Sequence, residues 1–67
     1  MSYPKLRGAI REKFGTQEAF AKAIKLHPTT LSAKLQGKTD WSRQEIEDAS
    51  KALGLSAEEI HTYFFTL

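Results

Sequence analysis

Apolar residues along the chain recur at three- and four-residue spacings, and nowhere do they alternate with a sustained two-residue period. Leu6, Ile10 and Phe14 mark one face of a first helix, opened by Pro4 and stopped at Gly15. Phe20, Ala21 and Ile24 mark a second. It begins at Thr16, a side chain suited to capping, with Glu18 in the first turn where negative charge is favoured. Leu31 and Leu35 give the inward face of a third, which Pro28 opens and Gly37 closes. The ring of Pro28 confines His27 to extended angles, so the second helix ends before it and His27 falls in the cap region.

Two further helices carry stronger start signals. Ser42 with Glu45, and Ser56 with Glu59, have the spacing of a capping box, in which each side chain satisfies a backbone N–H near the other. Trp41 with Ile46, and Leu55 with Ile60, stand where a hydrophobic staple would form. Ile46, Ala49 and Leu53 face inward before Gly54, and Ile60 and Phe64 do so in the last segment. The pattern therefore predicts an all-α fold of five short helices. The second and third are joined closely enough for a helix-turn-helix over about residues 16–36. Gly8 runs against the pattern, weakening the interior of the first helix by about 1 kcal/mol relative to alanine.

At 67 residues the chain holds one domain, 1–67, whose core is thin. With no cysteine there are no disulfides and no thiolate metal sites. His27 and His61 with scattered carboxylates make a poor zinc set and a poor catalytic pair, so neither an enzyme nor a metal, cofactor or small-molecule substrate is expected. No apolar run is long enough to span a membrane, and a cytoplasmic location is expected.

Charge changes the picture more. Residues 1–38 carry eight basic side chains against Glu12 and Glu18, whereas residues 39–67 carry two basic against six acidic. A basic first half is what a surface facing a polyanion needs. With Leu31 and Leu35 turned inward, Ala33 points outward, flanked by Thr29, Thr30 and Gln36, with Ser32 near the edge and Lys34 at the core boundary. This face is small and polar. It suits close approach to base edges, where hydroxyls hydrogen-bond and methyl groups touch thymine. It is equally an ordinary solvated helix face. Arg11, Lys13, Gln17, His27 and Lys38 are candidate phosphate contacts around it.

The stretch "TQEAFAKAIKLHPTTLSAKLQGK", read through Thr16, Gln17, Glu18, Phe20, Ala21, Ile24, Leu26, Thr30, Leu31, Ser32 and Gly37, resembles the helix-turn-helix of the phage repressor/Cro-like (XRE-like) family of small regulators. The segment "WSRQEIEDASKALGLSAEEI" resembles that family's fourth helix and the start of its fifth. The resemblance implies a lambda-repressor-like, five-helix DNA-binding domain that binds operator DNA as a homodimer. Pro28, Thr29, Thr30, Ser32, Ala33 and Gln36 would then read bases, and Gln17 would brace the third helix against phosphate. This chain departs from the pattern at Lys25, which stands at the usual turn glycine, and at Leu35, one position later than the usual core residue. Pro28 and Ala33 replace longer polar side chains, which moves specificity towards DNA shape. The aromatic end, "IHTYFFTL", offers Phe64 to the core, folded back over Leu6, Ile10 and Trp41, and Tyr63, Phe65 and Leu67 to a second copy. The rival reading is a protein-interaction module of the same fold, either an anti-repressor or a subunit of a larger regulator.

Overall fold

The local start signals act as their chemistry dictates. In the computed structural model, which describes residues 3–65, the helices are α1 (Pro4–Phe14), α2 (Gln17–Ala23), α3 (Pro28–Leu35), α4 (Arg43–Leu53) and α5 (Ala57–Phe65). No strand occurs among the described residues. Thr16 Oγ1 accepts the Ala19 N–H at 3.1 Å. Both capping boxes close: Ser42 Oγ accepts from Glu45 N–H at 3.1 Å while Glu45 accepts from Ser42 N–H at 2.8 Å, and Ser56 and Glu59 repeat the exchange at 3.2 and 2.9 Å. His27 caps α3 through Nδ1, which accepts the Thr29 N–H at 3.2 Å.

The apolar faces meet as their spacing predicts. Leu6 and Ile10 of α1, Phe20, Ala21 and Ile24 around α2, Leu31 and Leu35 of α3, Ala49 and Leu53 of α4, and Phe64 of α5 form one buried cluster. Its side chains come from every helix, so no helix keeps its face covered without the others. Phe64 does reach back over the core. Its ring lies 5.1 Å from that of Trp41, edge to face, and Tyr3 approaches Trp41 from another side at 6.4 Å. Tyr63 is half-buried against the same cluster, whereas Phe65 is 63% exposed. Leu67 lies outside the described residues.

Three helix ends share one hydrogen-bond scheme, in which two N–H groups beyond the helix reach back to its last turn. After α3, Gly37 donates to Lys34 O at 3.1 Å and Lys38 to Ala33 O at 3.0 Å; after α4, Gly54 and Leu55 do the same to Lys51 O and Ser50 O. After α2, the pair is Lys25 to Lys22 O at 3.2 Å and Leu26 to Ala21 O at 2.8 Å. The scheme needs a left-handed residue at its first donor. Gly37 (φ 81°) supplies it after α3, but after α2 the position is Lys25 (φ 61°), a residue whose Cβ crowds the following carbonyl there. The turn between α2 and α3 is thus set by tertiary packing against a local cost. Lys25→Gly is expected to relieve about 1 kcal/mol and raise the melting temperature by about 5 °C in calorimetry; an unchanged or lower value would show that this backbone is not strained.

Candidate interaction face around the third helix

α3 is only eight residues long, and its placement depends on what grips its C-terminal end. Two cations hold this region. The Arg7 guanidinium of α1 donates to Leu35 O at 2.7 Å. The Lys34 ammonium lies 2.8 Å from the Glu45 carboxylate and donates to Asp40 O at 2.8 Å, with the Trp41 ring centroid 6.0 Å away. Positive charge is favoured beside the carbonyls that end a helix. Lys34, placed by its spacing at the core boundary, is in fact buried, at 7% exposure. A lysine can be held there because its ammonium keeps a carboxylate and a carbonyl as partners.

The same Glu45 oxygen serves the α4 cap and the ion pair. Burial alone would push this carboxyl up. The Lys34 and Ser42 hydrogen bonds outweigh it and hold the group below its ordinary value of 4.5. A carboxyl with a lowered folded value adds stability above its unfolded pKa and loses it as pH falls through the folded one. Glu45→Gln, which removes the charge that Lys34 pairs with, should lower the melting temperature at neutral pH. In melting experiments from pH 7 to pH 2, the wild-type and variant curves should converge in acid. Parallel curves across that range would remove the ion pair from the fold's support.

The outward side of α3 is what remains. Pro28, Thr29, Ser32, Ala33 and Gln36, with Lys38 just beyond, line one open groove of about 370 Å³. Six of the residues expected to meet a partner are thereby brought together, while Thr30 is exposed but lies outside this groove's lining. Ser32 and Ala33 are half-buried, so Ala33 is not at the crest of the face. Gln36, the side chain with the longest reach for a base, donates to Ser32 Oγ at 2.9 Å. The groove is therefore short-walled and nearly neutral, with Lys38 as its cation.

The other expected contacts separate into different places. Arg11 and Gln17 line a groove between α1 and the start of α2, together with Arg7 and Gly8. His27 lines a third, beside Ala19, Lys22, Leu26 and Pro28. Lys13 stands apart from all three, its Nζ 3.6 Å from where a Cβ on Gly54 would lie, at the C-terminal end of α4. Sequence reasoning left Arg7 in the pool of basic surface charge, and placed Lys34 at the core boundary without finding its ion pair. Lys34 offered one usable signal, since it falls next to the inward Leu35 and three residues after Leu31. Among the described residues, no group of three or more His, Asp or Glu is placed to hold a metal, and no helix is long and apolar enough to cross a membrane.

The chain belongs to a family described as "Protein of unknown function (DUF739)", whose model matches residues 1–67. Its structure is similar to the solution structure of the modulator of repression (MOR) of the temperate bacteriophage TP901-1 from Lactococcus lactis. The two share 43% identity and a TM-score of 0.84 over 97% of this chain and 88% of that one. Its five-helix fold is thus shared with a small phage regulator. No curated protein matches the chain.

Proposed function

We propose that this chain is a phage regulator that acts by binding a repressor protein, through the groove along α3. The observation that carries this reading is the state of that groove. Gln36, the long neutral side chain of its lining, is bonded to Ser32, Lys34 behind it is held by Glu45, and Lys38 alone of its lining residues is charged. Pro28, Thr29, Ser32 and Ala33 are left as a shallow neutral surface. Direct base reading draws on long side chains that make paired hydrogen bonds to base edges, whereas a protein partner can insert its own side chains between small ones. The similarity to a protein called a modulator of repression supports the same reading.

A second reading is direct operator binding by a Cro-like helix-turn-helix, with α3 in the major groove. It is favoured by Arg11 and Lys38, which are both exposed. In that reading Arg11, Lys13, Gln17, His27 and Lys38 hold phosphates, and a homodimer is built on the exposed Phe65 with Tyr63 and Leu67.

Ala33→Arg separates the two. An added cation strengthens contact with a polyanion but fills a groove made for another protein's side chains. Titrated with the phage's own repressor, the wild-type chain is expected to form a complex in the absence of DNA, and Ala33→Arg to weaken it by about tenfold or more. The chain alone is expected to leave an operator duplex unbound at about 0.1 M salt. Tight duplex binding that falls steeply with salt and is enhanced by Ala33→Arg, with no repressor complex, would reverse the assignment in favour of the operator.

A further inference from the structure

Among the described residues, no packing contact or backbone conformation calls for glycine at Gly8. It sits inside α1, is exposed, and is not among the positive-φ glycines. A Cβ built on it meets nothing within 4 Å. Glycine in a helix interior is unfavourable relative to alanine, and within the chain nothing requires it here. The remaining reason for a bare Cα is the close approach of something outside the chain.

Where Gly8 lies indicates what approaches. It forms part of the groove between α1 and the start of α2, about 650 Å³, with Arg7, Arg11, Gly15, Thr16 and Gln17. No carboxylate is among the residues lining it. Arg11 is exposed and has no ion-pair partner among the described residues. Arg7, also in this lining, has its guanidinium bonded to Leu35 O.

We infer that this groove receives an acidic backbone segment of the repressor partner, which crosses α1 at Gly8 and places a carboxylate against Arg11. The inference rests on the protein-binding reading and adds to it a second contact, separate from the α3 groove. A side chain at Gly8 would hold the segment off, and a reversed charge at residue 11 would repel it.

Gly8→Ala sets stability and binding against one another. The variant is expected to melt roughly 3–6 °C higher, as a helix gains from alanine, and yet to bind the phage's own repressor about tenfold more weakly. Arg11→Glu should weaken the complex further, while Arg11→Lys should retain most of it. Titration of the ¹⁵N-labelled full chain with that repressor should shift the amide signals of Gly8, Gly15 and Gln17. A repressor complex of unchanged affinity in Gly8→Ala and Arg11→Glu would overturn this inference and leave the proposed function standing. Absence of any repressor complex in the wild type would overturn both. Shifts at these amides with a mixed-sequence duplex and none with repressor would replace the acidic segment by nucleic-acid phosphate.

Discussion

The Lys34 ammonium is the fixed point from which the exposed half of this domain takes its shape. An eight-residue helix is unstable alone, and two leucines are a small apolar face with which to place it. Lys34 extends α3's hold beyond its own core contacts. Its partners are Asp40 O in the connection and Glu45 in the first turn of α4, so the end of one helix, the following loop and the start of the next share one buried charge. Arg7 completes the arrangement by tying α1 to the last carbonyl of α3. Such an ion pair confers geometric definition more than net stability, because desolvating both groups offsets much of their attraction. What it defines here is the angle at which the outer side of α3 is displayed.

That arrangement also explains which parts of the structure were legible in advance. The helices were, because their determinants lie within a few residues of each other: apolar spacing, a proline at the first helical position, a hydroxyl three residues before a glutamate. The Thr16 cap, both boxes and the Phe64 contact with Trp41 follow from such signals. The surface was far less legible. Arg7 meets Leu35 across 28 residues, and nothing local marks that contact. Counting basic residues in the first half included Arg7, which is bonded to a helix end, and Lys34, whose boundary position gave no sign of the carboxylate that holds it. Gln36 was likewise taken as a free reader and is tied to Ser32. The resemblance to a repressor-like domain located the exposed helix, but its chemistry depended on contacts outside any sequence window.

The consequence for function lies in what those contacts remove. A helix that reads DNA directly relies on long donors aimed outward and on cations along its flanks. Here the internal demands of a small core take Lys34 and Arg7, and Gln36 lies along the helix. The groove along α3 is lined by Pro28, Thr29, Ser32 and Ala33, with Gln36 bonded to Ser32 and Lys38 as its cation. Surfaces of this kind gain contact energy from a partner's side chains rather than from their own. That fits a protein whose structural relative is a modulator of repression.

Lys25, Phe65 and Gly8 each break a local rule, and they are not equivalent. Lys25 takes a left-handed backbone because the turn before α3 requires it, and the hydrogen bonds from Lys25 and Leu26 show what is gained. Phe65 is exposed at the end of the described chain, where a helix runs out of neighbours. Gly8 has neither excuse. It lies in the middle of a helix with empty space above it and no bond that depends on it. In a domain of this size about 1 kcal/mol is a substantial part of total stability. A site that gives it up with no return inside the chain is better explained by a contact the chain makes with another molecule.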